Sequence, residues 1–297
     1  MTPVHRHNPE FRAAARHFGR RRFLTATGAA AALAFAVQLP SAGVAAADEL
    51  DGRRIPEDPF TLGVASGDPL PDSVLLWTRL AQFDILDTRQ YRSNQAYGDG
   101  WQVPRPESED PSRTMTGATQ ERWLLDGWRD AQALWNVVPQ QVVFARRRNV
   151  PTPDLKLSMD SWDGYPASRR RILDGAAAAG VANLMVLTGD VHVGYGLDIK
   201  ADFDDPGSRT VGTELVATSI SSGKDGSDRP ANHDALTTAN PHMRFYNGRR
   251  GYLTVELGTE QARADFRTVA RVTTPGAPIT TAASFVTEAG NPGLRPA

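Results

Sequence analysis

The segment that most constrains the fold runs from Asn183 to His192 and reads Asn-Leu-Met-Val-Leu-Thr-Gly-Asp-Val-His. Its first half is a continuous apolar run, which is typical of a strand buried on both faces. Strands of this kind occur in parallel sheets that helices cover. The sequence therefore predicts an α/β fold in which this segment is a central strand, broken by glycine where polar groups appear.

Further helices and strands are predicted on both sides of this segment. A helix is predicted after Thr116, because apolar residues recur there at helical spacing as far as Trp135. Pro166 opens a second helix that extends to Ala179 and ends at Gly180. The remaining predicted strands are Phe60–Pro69, Ser73–Arg79, Phe83–Asp87, Val137–Phe144, Glu214–Ile220 and Arg250–Leu257. The first two form a hairpin, because prolines and an aspartate between them supply turn chemistry.

The composition excludes several classes of function. The chain has 297 residues and no cysteine, so neither a disulfide framework nor a thiolate zinc site is available. It contains no phosphate-binding P-loop and no dinucleotide-binding glycine pattern. The serines of Ala217–Gly223 do not form a nucleophile elbow. No basic tract predicts a nucleic-acid-binding surface.

The N-terminus resembles a twin-arginine signal peptide. Gly19-Arg-Arg-Arg-Phe-Leu24 precedes an apolar run from Ala29 to Leu39, and Ala45-Ala-Ala47 supplies a cleavage site before Asp48. The apolar run is shorter than the roughly 20 residues of a spanning helix, so a permanent membrane anchor is not expected. This pattern predicts export by the Tat translocase to the periplasm, cell wall or exterior. Removal of residues 1–47 leaves 27 basic and 33 acidic residues, a net charge of −6.

Asp190 and His192 are the strongest candidates for chemistry. Because strand side chains alternate, Asp190 and His192 are expected to project to the same side of this strand, at the carboxyl end where open α/β sheets bind ligands. A carboxylate and an imidazole together predict half of a metal site, with a structural histidine at a strand end as the alternative. The remaining histidines of the exported part, His233 and His242, lie in polar loops and are interpreted as surface or structural residues.

Three other positions have two possible roles each. Arg89 and Arg92 follow a predicted buried strand, and their guanidinium groups can hold phosphate or form ordinary salt bridges. Asp163 precedes the second helix, where capping is favoured over a role beside the site. Arg146–Arg148 is interpreted as a solvated run.

Six motifs in order resemble the PhoD-like alkaline phosphatases. The likeness extends through nearly the whole exported chain, behind the kind of signal typical of that family. The motifs are Phe60–Pro69, Val74–Leu80, Leu86–Arg92, Trp162–Pro166, Leu187–His192 and Arg250–Tyr252.

The resemblance implies an N-terminal β-sandwich domain followed by a layered αββα metallophosphatase domain. It further implies hydrolysis of phosphate monoesters or diesters with iron and calcium, and metal-ligand roles for Asp190 and His192. Three regions follow: a signal peptide at 1–47, a remnant of the β-sandwich at 48–81, and the C-terminal part of the metallophosphatase domain at 82–297.

The same resemblance indicates that this chain lacks a central segment of the family. In the family, the segment ending at Leu80 and the segment beginning near Phe83 are separated by most of the β-sandwich and the first half of the catalytic domain. The intervening part would carry the metal-binding cysteine and other ligands. Three hypotheses remain: a phosphatase of impaired activity, a non-catalytic secreted module that binds calcium or phosphate, and a truncated product that does not fold stably.

Overall fold

The protein is described here by a computed structural model that covers residues 80–149, 156–205 and 207–297 in full. Two further strands, at 65–70 and 73–77, are described by their backbone alone. The expected signal peptide and residues 48–64 lie outside the described residues. In the described part, no helix is both long enough and apolar enough to cross a membrane.

Fourteen strands and three α-helices are described, with a short 3₁₀ helix at Trp162–Gly164. The strands are β1 Ala65–Leu70, β2 Ser73–Trp77, β3 Ala81–Asp84, β4 Trp101–Gln102, β5 Trp135–Pro139, β6 Leu157–Ser158, β7 Leu184–Thr188, β8 Gly194–Lys200, β9 Thr210–Val216, β10 Met243–Asn247, β11 Arg250–Leu257, β12 Gln261–Val269, β13 Ile279–Glu288 and β14 Asn291–Pro296. The helices are α1 Gly117–Arg129, α2 Pro166–Ala178 and α3 His233–Ala239.

Eight of these strands form one mixed sheet in the order β1-β2-β3-β5-β7-β9-β8-β10. Its centre, β3-β5-β7-β9, is parallel, whereas the flanking strands pair antiparallel. The mixed α/β class predicted from the sequence is confirmed. The predicted hairpin also forms, and β2 pairs directly with β3 in the same sheet.

Two hydrophobic cores cover the two faces of this sheet. On one face, Val138 and Val186 pack with Leu124, Trp128 and other residues of the helices. On the other, Val137, Met185 and Leu215 pack against the antiparallel sheet β11-β12-β13-β14. Adjacent residues of β5 and β7 thus enter different cores, which explains why these strands are apolar throughout. The order of layers is helix, sheet, sheet.

Several predicted boundaries agree with the structure and others are wrong, among them those of the strand predicted at Glu214–Ile220, which extends from Thr210 to Val216. The second helix and β11 have nearly the predicted bounds. The first helix ends at Arg129, and Trp135, which helical spacing had assigned to it, begins β5. The strand predicted at Val137–Phe144 ends at Pro139, and the strand predicted as far as His192 ends at Thr188.

Candidate functional site

The carboxyl ends of the parallel strands meet at one edge of the mixed sheet. Arg89 lies five residues beyond β3, Asp190 lies two residues beyond β7, and Ser222 lies in the loop that follows β9. Loops at this edge are where open α/β sheets place ligands. The topology therefore brings together residues that are more than 100 positions apart in the sequence.

Arg89 forms the centre of a cluster of ions at this edge. Its Nη1 donates to both carboxylate oxygens of Asp160, at 2.7 and 2.9 Å, and its Nη2 donates to Asp190 Oδ1 at 3.0 Å. Arg92 Nη1 donates to Asp160 Oδ1 at 2.8 Å, and Gln95 Nε2 donates to the same oxygen at 2.6 Å. We call Arg89, Arg92, Asp160 and Asp190 the ion cluster. It contains two guanidinium groups and two carboxylates.

The electrostatics of the cluster follow from this geometry. Burial by itself would raise the pKa of Asp160, but hydrogen bonds and charge from Arg89 and Arg92 outweigh it and hold that pKa below the ordinary range. The Arg89 side chain is 37% exposed and that of Asp190 is 42% exposed. Because ion pairs this exposed contribute little free energy, the cluster orders the loops more than it stabilises the fold.

Asp190 and His192 both lie beyond the end of β7, so the expected alternation along a strand does not orient them. Both residues have left-handed backbone conformations, with φ of 70° and 56°. Such conformations are costly for residues other than glycine and tend to occur at functional sites. Asp190 contacts Arg89, whereas His192 Nδ1 lies 3.4 Å from Ser222 Oγ. The structure thus joins Asp190 to the predicted arginines and places His192 beside the loop that follows β9.

A buried polar network lies next to the strand ends. Glu214 on β9 accepts hydrogen bonds from the backbone N–H groups of Phe144 and Ala145, at 2.8 and 2.7 Å, and from Thr188 Oγ1 at 2.6 Å. Gln140 Nε2 donates to Thr188 Oγ1 at 2.6 Å. Burial raises the pKa of Glu214 to about 7. The network holds the loop after β5 against the end of β7, two residues before Asp190.

Asp163 forms a buried ion pair instead of capping α2. Its carboxylate accepts from Arg169 Nη1 at 2.7 Å and from the backbone N–H of Arg147 at 2.9 Å. The side chains of Asp163 and Arg169 are 0% and 4% exposed. The expected capping role is therefore wrong. The pair fixes the turn that carries Asp160, a cluster residue that the sequence analysis had not singled out.

The arginine run at 146–148 is not simply solvated. Arg146 and Arg148 both pair with Asp204, and Arg147 lies over the Trp101 ring at 4.5 Å. His242 is buried and donates from Nε2 to the carbonyl oxygen of Arg146 at 2.7 Å, which agrees with its predicted structural role. Burial lowers the pKa of His242.

The described residues do not fit a metal centre by themselves. Among residues 80–149, 156–205 and 207–297, no group of three or more His, Asp or Glu side chains is placed to hold a metal ion. Asp190 already accepts from Arg89, and His192 faces a serine. A site that binds two metals needs more ligands than this pair supplies.

Comparison with known proteins gives consistent results. A family model described as PhoD-like phosphatase matches residues 74–266. Alkaline phosphatase D of Bacillus subtilis (strain 168) is 44% identical over 216 residues, which are 73% of this chain and 37% of that protein. A solved structure described as "Structure of PhoD" matches with a TM-score of 0.71 and 43% identity, and covers 73% of this chain and 42% of that chain. The chain therefore spans less than half the length of these relatives.

Proposed function

Because this chain belongs to the PhoD-like phosphatase family, we propose that it is an exported phosphate-ester hydrolase, acting on monoesters or diesters with reduced turnover. The observation that carries the proposal is the ion cluster at the carboxyl ends of β3 and β7, inside the matched region 74–266. That edge of an α/β sheet is where a substrate would bind.

The ion cluster supports a role in binding phosphate esters. Arg89 and Arg92 are the groups proposed to hold the phosphate, because planar guanidinium forks match phosphate oxygens. Both arginines contact Asp160, which holds them at one edge. Asp160 and Asp190 also compete with an entering phosphate for the same donors. This competition is one reason to expect reduced turnover.

The resemblance to the family implies calcium and iron, with Asp190 and His192 as ligands. Asp190 contacts Arg89, whereas His192 lies beside Ser222. In the described part of the chain, no group of three potential metal ligands is present. We propose that the segment between Leu80 and Phe83, long in the family and two residues here, accounts for the missing ligands. Impairment by loss of that central segment follows from this proposal.

Export by the twin-arginine route is the second part of the proposal. Gly19–Leu24 and the small residues before Asp48 support cleavage after Ala47. The mass of the secreted protein tests this, since cleavage at that point yields a chain that begins at Asp48. Replacing Arg21 and Arg22 with lysine is expected to leave the uncleaved chain inside the cell.

Hydrolysis of p-nitrophenyl phosphate and bis-p-nitrophenyl phosphate, with and without added calcium and iron, tests the catalytic proposal. Activity that falls at least tenfold in Asp190→Ala but not in Asp126→Ala supports it. Asp126 is an exposed residue of α1 that pairs with Arg129, so it controls for loss of a surface carboxylate. Activity that survives Asp190→Ala unchanged would remove Asp190 from the site.

A non-catalytic secreted module that binds calcium or phosphate is the second candidate. The lack of a three-ligand group among the described residues favours it. Metal analysis of the purified protein, together with the hydrolysis assay, separates the two functions. Bound calcium without turnover of either ester indicates the binding module, and turnover of either ester indicates the hydrolase.

A further inference from the structure

A groove of about 570 Å³ lies outside the ion cluster, beside the edge strand β10. One wall consists of β10, and another consists of the loop before α3 together with α3 itself. Residues of β12 and β13, in the other sheet, complete the lining. Its volume falls within the roughly 300–1,000 Å³ that is usual for sites of small organic ligands.

The lining of this groove is basic. It contains Arg229, Arg244 and Arg249, whereas Asp228 is its one carboxylate. The whole chain, in contrast, has a net charge of −1. A local excess of positive charge on a chain of opposite net charge favours an anionic ligand.

The three arginines differ in how many of their donors are free. Arg249 is engaged, since Nε and Nη2 both donate to Asp228, at 2.6 and 2.9 Å, and Nη1 donates to a backbone carbonyl. Arg244 is held by Nε alone, which donates to the buried Asp198 at 2.6 Å, and its side chain is 49% exposed. Arg229 is exposed and forms no ion pair within the described residues. Arg229 and the terminal nitrogens of Arg244 are therefore available to a ligand.

The groove also offers a surface for a ring. Tyr246 lines it and meets His233 edge to face, with the ring centroids 5.9 Å apart. Tyr246 also meets Tyr195 edge to face, with the ring centroids 5.5 Å apart. A tyrosine held in this way presents an apolar body together with a hydroxyl group.

From these contacts we propose that the groove binds a small organic phosphate, with its phosphate group between Arg229 and Arg244 and its organic part against Tyr246. Two guanidinium forks can each hold phosphate oxygens in bidentate fashion, which favours phosphate as the anion. The volume leaves room for more than the phosphate group. The proposal goes beyond the function proposed above and does not depend on it.

The test is calorimetric titration of the full-length purified chain with phenylphosphonate, which has the dianion and a ring but no ester bond to hydrolyse. Inorganic phosphate is the second probe. We expect phenylphosphonate to bind more tightly than inorganic phosphate, and its Kd to rise about tenfold in Arg229→Ala and in Arg244→Lys. Arg244→Lys keeps a cation beside Asp198 and so preserves the fold.

Two controls separate this groove from the ion cluster and from general charge effects. Arg295→Ala removes a half-exposed arginine of β14, outside the groove, that pairs with Glu288 at the end of β13, and it is expected to leave Kd unchanged. Asp190→Asn alters the ion cluster, and in that background the roughly tenfold effects of Arg229→Ala and Arg244→Lys on Kd are expected to persist. The proposal is overturned if the groove variants bind as well as the parent chain, if their effects disappear in the Asp190→Asn background, or if inorganic phosphate binds as tightly as phenylphosphonate.

Discussion

Removing the charge of Asp163 should destabilise the fold severely, because Arg169 would be left buried and unpaired. The two side chains are 0% and 4% exposed, and the ion pair joins Asp163 Oδ1 to Arg169 Nη1 at 2.7 Å. Removing one partner of a buried ion pair lowers the free energy of unfolding by about 3–5 kcal/mol. Asp163→Asn keeps an acceptor oxygen, so we expect a loss near the lower end, about 3 kcal/mol.

Thermal unfolding monitored by circular dichroism measures this loss. For a unit of this size, about 3 kcal/mol corresponds to a decrease in Tm of roughly 6–12 °C. Asp126→Asn, which alters an exposed pair on α1, is the matched control and should change the free energy of unfolding by less than about 1 kcal/mol.

A double-mutant cycle isolates the contribution of the pair. Arg169→Met removes the guanidinium group but also the hydrogen bond that Arg169 donates to the Phe144 carbonyl at 2.8 Å. If the two charges interact, the double variant with Asp163→Asn and Arg169→Met should lose less free energy of unfolding than the two single variants lose added together. The expected coupling energy is about 1–3 kcal/mol. A single-variant loss below about 1 kcal/mol with no coupling would refute the reasoning.

Three further predictions concern buried groups and backbone conformation. The folded pKa of Glu214, about 7, exceeds the ordinary 4.5, so the native state binds the proton more tightly. The unfolding free energy should therefore fall by up to about 3 kcal/mol as pH rises from 4.5 to 7. Urea titrations at pH 4.5 and 8 measure this fall, which should be smaller in Glu214→Gln than in the parent chain. Trp128→Phe removes the donor to buried Asp84, at 2.9 Å, and should cost about 1–3 kcal/mol in urea unfolding, unlike Trp123→Phe on the same helix. Gly226→Ala should lower Tm more than Gly276→Ala, because both have positive φ but only at Gly226 would the new Cβ meet a backbone oxygen, at 1.8 Å.

The elements that sequence patterns predicted well are those whose limits are set locally. Pro166 at the first turn and Gly180 after the last turn bound α2, and both act through their own backbone preferences. The apolar run before Thr188 likewise fixed β7 as a buried central strand. Residues at these positions determine the local structure with little help from distant parts of the chain.

The failures occurred where distant residues decide the outcome. Residues 140–144 have the composition of a strand, but the Phe144 N–H donates to Glu214, 70 positions away, instead of to a neighbouring strand. Trp135 fits the period of the first helix, yet its backbone pairs with Ala81 in the parallel sheet. The left-handed backbone at Asp190 and His192 ends the strand pattern without any glycine at those positions. Tertiary hydrogen bonds overrode local preference in the first two cases.

Part of the candidate site was predictable from the sequence, and part was not. Asp190, Arg89 and Arg92 follow recognisable strands, so their placement at one sheet edge could be inferred from strand order. Asp160 gave no such signal, because it lies in a turn held by the buried pair of Asp163 and Arg169. The resemblance pointed to the motif Trp162–Pro166 beside it, but not to the carboxylate that both arginines contact.

Charge balance distinguishes the two places where this chain could meet a phosphate. In the ion cluster, two guanidinium groups face two carboxylates, so an entering phosphate dianion encounters no net attraction and must displace Asp160 from its donors. In the groove beside β10, three arginines face two carboxylates, Asp228 and Asp198, and two of the arginines keep free donors. The cluster has the position expected of a hydrolytic site, whereas the groove has the charge expected of an anion receptor. Binding and turnover should therefore respond to different substitutions.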